Sequence, residues 1–214
     1  MIKKQENFKI LFESWRGFLA ESLLLKPGEN GWFLYSKLIA DAYIAAPKFD
    51  VSAVNSFLAL EPFVNKMFKR ISSRTQIQFV ENDPYKDDKE MKKSVKETGI
   101  LKIWSGGTEH PLFTPEFNLK LRAVHDMMAH IQPHGHEGTD FTMEGEIKAY
   151  NNHLKTIPPE GAPALFTEVL GQASHFIHYG EFPEQKIATL KGFDYFNIGI
   201  VDGYRIINKE LIKE

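Results

Sequence analysis

The chain has 214 residues, 43% of them hydrophobic, and its 26 basic and 28 acidic residues leave a formal charge of -2. This composition is typical of a single globular domain over residues 1–214, and it provides no global basic field that would indicate nucleic acid as a partner. The absence of cysteine excludes disulfides, thiolate catalysis and cysteine-ligated metal centres. No apolar run approaches the ~18 residues of a spanning helix, so we expect no membrane partner and a cytoplasmic location.

Apolar residues at helical spacing predict three helices in the first third of the chain, over 6–25, 32–45 and about 52–72. Asp50 or Ser52 is the expected N-cap of the third helix, because a short polar side chain can accept a hydrogen bond from the first free backbone N–H groups. The many aromatic residues are expected to dominate the core.

Two segments in the middle of the chain have strand character. Residues 75–80 alternate polar and apolar side chains, and residues 100–104 are mostly apolar. A charged helix is predicted between them, over 84–98, with Asp83 as its cap and Gly99 as its end. Two strands are too few for a large sheet, so we expect a small two-stranded β ribbon packed on helices.

The second half of the chain is predicted to be helical. Thr114 and Pro115 are typical of the start of a helix, which is expected to continue to about residue 131. Further helices are expected over 143–155, 162–178 and 183–190, and in a C-terminal segment that ends at Glu214. The sequence therefore predicts a mainly α, single-domain helical fold, with residues 114–178 as the core of a metal site.

Histidine is concentrated in this part of the chain: seven of the eight histidines lie between residues 125 and 178, about a quarter of the sequence. Clustered histidines near acidic residues indicate metal binding or shared proton chemistry. His125 and His130 are five residues apart and would point about 140° away from each other on a regular helix. A shared metal ion would therefore need both side chains at the end of the helix. His134 and His136 follow in the next loop, whereas His110, His175 and His178 are expected to be structural.

Two further polar stripes accompany the histidine pair. Glu146, Tyr150 and His153 share one helix face by their spacing, as do Glu168 and Gln172. Buried stripes of this kind are expected to face one another, and a cation would offset the cost of burying their carboxylates. Gly171, in the second of these helices, indicates a close approach by another backbone or by the site.

Two histidines and one carboxylate form the facial triad of non-haem iron(II) centres. We therefore predict His125, His130 and Glu168 as metal ligands, with iron(II) as the metal and zinc or manganese as alternatives. Glu146, Tyr150 and Gln172 are predicted to be catalytic, acting on a small-molecule substrate. Asp126 and His153 are predicted to orient the ligands from a second shell.

A local pattern resembles the iron site of the aromatic amino acid hydroxylases. The sequence has His125-Asp126 with His130 five residues after His125, followed about forty residues later by Thr-Glu-x-x-Gly around Glu168. In that family the first motif reads His-Glu-x-x-Gly-His, so Asp126 replaces a glutamate and Ala129 replaces a glycine. The resemblance implies an iron-dependent hydroxylase and covers only some forty-five residues.

Residues 118–172 also resemble a domain of phage-encoded large polyvalent proteins. The shared pattern is Arg-Ala-Val-His-Asp with a following His, then Gly-Glu at 145–146, then Thr-Glu-x-x-Gly-Gln at 167–172. This resemblance implies a viral source, and hence the cytoplasm of an infected cell, but no activity.

Two other functions remain open on the sequence alone. His125-Asp126 is similar to the metal-binding pair of the HD phosphohydrolases, which predicts zinc- or manganese-dependent hydrolysis. A closed site in which Glu146 or His153 supplies a fourth ligand would instead be structural, as in a non-catalytic phage module.

Overall fold

The computed structural model describes residues 31–131, 138–208 and 210–213. The predicted helix over 6–25 lies outside these residues, as do His134 and His136. Among the described residues, no helix is both long enough and apolar enough to cross a membrane.

The first helices follow the prediction with one interruption. Helix α1 covers Gly31–Ala45. A 3₁₀ turn at Val51–Ala53 leads into α2 (Val54–Leu58), and α3 covers Glu61–Ser72. The single helix predicted over 52–72 is thus divided, because Pro62 lies in the first turn of α3, where its missing N–H is tolerated, and it would break a helix that ran through this point.

The two predicted strands pair in parallel. Strand β1 (Gln76–Val80) and strand β2 (Ile100–Trp104) are joined by α4 (Asp88–Thr98), which provides the crossover that a parallel pair requires. Asp87 caps α4 by accepting a hydrogen bond from the Glu90 N–H at 2.8 Å, so the helix begins later than predicted. Gly99 ends it with a φ of 70°, a conformation that favours glycine.

The next three helical segments carry the candidate site. Helix α5 (Pro115–His125) continues directly into a π-helix, π1 (Asp126–Ile131). Helix α6 covers Met143–Leu154. After a 3₁₀ turn at Pro159–Gly161, α7 (Ala162–Phe166), π2 (Thr167–Gly171) and α8 (Gln172–Tyr179) follow without a break. Helix α6 packs against both π-helices, which brings all three segments together.

Two predictions for the C-terminal part of the chain were wrong. Residues 183–190 are extended rather than helical, and Ile187 forms a bridge with Phe49. The segment predicted as a C-terminal helix instead forms an antiparallel sheet of β3 (Ile200–Val201), β4 (Tyr204–Ile207) and β5 (Glu210–Lys213). Asp202 and Gly203, with φ of 41° and 80°, form the turn that makes β3 and β4 antiparallel neighbours.

The core is rich in aromatic side chains, as the composition predicted. Tyr35, Tyr43, Phe57, Tyr150 and Phe166 are all fully buried. Apolar residues from the helices, from β2 and from β3 belong to one packed cluster. The mainly α fold is therefore confirmed, and the small two-stranded sheet is accompanied by a three-stranded sheet that the sequence did not reveal.

Candidate metal centre

A π-helix brings the two central histidines together. The hydrogen bonds of π1, which begins directly after His125, span five residues, so the turn is wider and side chains five apart diverge by much less than the ~140° of a regular helix. The Nε2 atoms of His125 and His130 are accordingly 3.0 Å apart. Nothing in the residue pattern predicted this local geometry.

Glu146 faces the same point from α6. Its Oε2 lies 3.4 Å from His125 Nε2, and its Oε1 lies 3.5 Å from His130 Nε2. The residue is 7% exposed and lies in the first turn of its helix, which Thr142 caps by accepting a hydrogen bond from the Gly145 N–H. Two imidazoles and one carboxylate therefore converge on one small volume.

The far side of the His125 ring contacts a third histidine. His125 Nδ1 lies 3.3 Å from the Nε2 atom of His153, which is buried on α6. When His125 Nδ1–H donates to His153, the Nε2 atom of His125 keeps its lone pair for the centre. His153 thus has the placement of a group that orients a metal ligand.

The His130 ring is fixed in a similar way. Its Nδ1 lies 2.9 Å from the hydroxyl of Thr139 and 3.3 Å from the Thr139 carbonyl oxygen. The hydroxyl itself donates to the Ala129 carbonyl, so it accepts from Nδ1–H and leaves the His130 Nε2 lone pair free. Lys92 holds the Thr139 carbonyl with a 2.9 Å hydrogen bond.

Burial and neighbouring charges set the protonation of these groups. Burial and the neighbouring His125 lower the pKa of His130 to about 4. The same two causes lower the pKa of His153 to about 3. For His125, burial also lowers the pKa, but hydrogen bonding and attraction from Glu146 outweigh it and leave that pKa raised. Burial raises the pKa of the Asp126 carboxyl to about 6, against the opposing effect of His125.

His125, Asp126 and His130 form a group that could hold a metal ion. One ligand atom from each of the three lies within 4.8 Å of the others. The donor set consists of nitrogen and oxygen, which suits zinc, iron and manganese alike, so the geometry alone does not determine the metal.

A cavity of about 480 Å³ adjoins this group. His125, Asp126, His130, Glu146 and His153 line one part of it. Other parts of the wall are apolar, formed by residues such as Phe63, Leu121, Leu165, Val169 and Phe176. A volume of this size accommodates a small organic molecule.

Glu168, the predicted carboxylate ligand, has different neighbours. It also lines the cavity, but its Oε1 faces His110 Nε2 at 3.5 Å and its Oε2 accepts a 2.9 Å hydrogen bond from Gln172. Glu146, which was predicted to be catalytic, is the carboxylate that contacts His125 and His130. Sequence spacing could not separate the two glutamates, because each lies on a polar helix face.

Three other residues considered in the sequence have partners other than His125 and His130. The hydroxyl of Tyr150, also predicted to be catalytic, donates to the carbonyl oxygens of Ala162 and Tyr195. His178 contacts Ser36 at 2.8 Å. His175 contacts the carbonyl oxygen of Glu181. These contacts serve packing and backbone satisfaction rather than the centre.

Comparisons with protein-family models, with curated proteins and with solved structures found no match for this chain.

Proposed function

We propose that the chain is a metal-dependent enzyme with a mononuclear centre of His125, His130 and Glu146, and that this centre uses iron(II) to oxygenate a small substrate held in the adjoining cavity. The observation that carries the proposal is the set of distances of 3.0, 3.4 and 3.5 Å between the three donor groups. Ligands about 2.1 Å from one metal ion lie roughly 3.0 Å apart in octahedral geometry and roughly 3.4 Å apart in tetrahedral geometry. The 3.4 and 3.5 Å distances involve the two different oxygens of Glu146, so the three side chains are close enough to share one ion through either oxygen.

Three protein ligands leave coordination positions free. This is the donor set of the non-haem iron(II) oxygenases, in which the open positions face the substrate. His153 and Thr139 support the two histidines through Nδ1, as second-shell groups do in metal proteins. Glu146 takes the role that the resemblance to the hydroxylases assigned to Glu168.

When bound in such a site, iron(II) would activate dioxygen toward reduction, which the side chains alone cannot do. In the overall reaction one oxygen atom enters a C–H bond of the substrate. The other leaves as water, with two protons and with two electrons from an organic reductant. The protein holds the substrate against the centre, and the apolar wall excludes water from it. The resemblance to phage polyvalent proteins adds a viral source to the proposal.

Metal analysis of tag-free protein tests the ligand set. We expect near-stoichiometric iron in the native chain and its loss in Glu146→Gln. Glu144→Gln is the matched control, since Glu144 lies two residues away on the same helix with an exposed side chain. Iron-loaded protein should consume oxygen in the presence of substrate and reductant. Retention of iron in Glu146→Gln, or full activity without iron, would contradict the proposal.

Asp126 favours one alternative, hydrolysis with zinc or manganese. Its carboxylate belongs to the group with His125 and His130, so it is close enough to accept a proton from an attacking water. In that case zinc-loaded protein should cleave a chromogenic phosphodiester, and Asp126→Asn should abolish cleavage while it retains zinc. Loss of zinc in that variant would instead make Asp126 a ligand.

A further inference from the structure

A second polar group lies on the cavity wall, separate from the proposed ligands. Glu168 projects from π2, and its side chain is only 5% exposed. Its Oε1 and the Nε2 atom of His110, which lie 3.5 Å apart, are both buried without a hydrogen bond among the described residues. Within those residues the carboxylate therefore accepts only the hydrogen bond from Gln172, and burying a charge with so little compensation is costly, so the adjoining cavity indicates that a further group completes its environment.

The ring of His110 fixes one side of Glu168. Its Nδ1 accepts hydrogen bonds from the backbone N–H groups of Leu112 at 3.1 Å and Phe113 at 2.9 Å. A nitrogen that accepts two N–H groups carries no hydrogen, so the ring hydrogen lies on Nε2, which faces Glu168 Oε1 at 3.5 Å. Stacking on the Phe113 ring, with centroids 4.4 Å apart, holds the imidazole in place.

In the part of the chain that the structure describes, no lysine or arginine neutralises this carboxylate directly. Among the described residues, Glu168 forms no ion pair within 4.0 Å with a lysine or an arginine. Arg122 interacts electrostatically with Glu168. Its guanidinium group, however, donates its hydrogen bonds to the carbonyl oxygens of Trp104, Gly106 and Gly107. Gln172 supplies only a neutral donor.

We propose that Glu168, oriented by His110 and Gln172, is an anchor that binds the ammonium group of a small, mainly apolar amine. An ammonium group offers both the positive charge and the hydrogen-bond donors that the carboxylate lacks. Apolar side chains on the same wall, such as Leu165, Val169 and Phe176, provide surface for the rest of the molecule. The inference rests on the proposed function, because it names the substrate class of the same cavity.

Calorimetric titration with 2-phenylethylamine and with its neutral counterpart 2-phenylethanol tests the anchor. In zinc-loaded native protein the amine should bind roughly 10- to 100-fold more tightly, the range expected for a charged hydrogen bond. Glu168→Gln should reduce the preference to about twofold or less. Gln172→Ala keeps the carboxylate and should therefore lose only part of the preference for the amine. Glu160→Gln, an exposed control, should leave the preference unchanged.

Equal binding of the two compounds by native protein, no binding of the amine, or an undiminished preference in Glu168→Gln would overturn the anchor. Metal content separates this outcome from a failure of the proposed function. Glu168→Gln should retain its metal, since loss of the metal would make Glu168 a ligand. His125→Ala should lose its metal yet keep the preference for the amine, so the anchor can stand even where the iron chemistry fails.

Discussion

Replacement of His153 tests whether this residue only supports His125 or is itself a fourth metal ligand that would close the centre. The Nε2 atom of His153 lies 3.3 Å from the Nδ1 atom of His125, on the side of the His125 ring opposite the Nε2 atom that faces Glu146. His153 therefore acts on a bound ion through His125. Removal of such a supporting group typically weakens metal binding 10- to 100-fold, which corresponds to about 1.4–2.7 kcal/mol. We expect a loss within this range for His153→Ala.

The assay is competition for zinc between the protein and a chromogenic chelator at fixed pH and ionic strength. His153→Gln is the conservative variant, since its side-chain oxygen can still accept the hydrogen bond from His125 and should restore most of the affinity. His178→Ala is a control for histidine removal in general, because its ring contacts Ser36. Cobalt(II) absorption of the same variants reports the coordination number independently.

Two results would refute this reasoning. An unchanged zinc affinity in His153→Ala would mean that the contact with His125 does not orient the ring. A loss of more than about a thousandfold, together with a tetrahedral cobalt spectrum that disappears in the variant, would make His153 a fourth ligand. The site would then be closed, and the non-catalytic interpretation would replace the enzymatic one.

Three further predictions test the surroundings of the centre. Gly171→Ala should lower Tm by roughly 3–10 °C, because the new Cβ would lie 2.6 Å from the Tyr43 ring and overpacking costs about 1–3 kcal/mol. A raised Tm, which is the usual effect of alanine in a helix, would contradict this prediction. Thr139→Val should weaken zinc binding about tenfold through His130, and unchanged binding would exclude that support. The raised pKa of His125 keeps its ring protonated to a higher pH than that of an ordinary histidine, and zinc must displace that proton. The affinity for zinc should therefore fall about tenfold per pH unit as the pH drops below the pKa of His125. A dissociation constant that stays flat between about pH 7.5 and 5.5 would contradict this proton competition.

Local signals in the sequence were enough for much of the fold. The capping by Thr114, the helix end at Gly99 and both strands of the parallel pair were predicted, because each depends on residues close in sequence. The C-terminal sheet was missed, since its short strands depend on pairing with one another and on a turn at Asp202 and Gly203. Pairing of this kind leaves only a weak trace in one sequence.

The candidate site was predictable in its components but not in its arrangement. His125 and His130 were recognised by their clustering, yet on a regular helix they would diverge, and only π1 brings their rings together. Glu146 and Glu168 cannot be distinguished by sequence pattern, because each lies on a polar helix face. Tertiary packing alone places the first beside the histidines and the second beside His110.

Both π-helices are anchored in the protein core. In π1 the side chains of Met127 and Ala129 are buried, and in π2 the hydroxyl of Thr167 donates to the Ala188 carbonyl at 2.8 Å. These contacts hold the unusual backbone in place and, with it, the direction of each polar side chain. A rigid support of this kind is what a site that positions reacting groups requires.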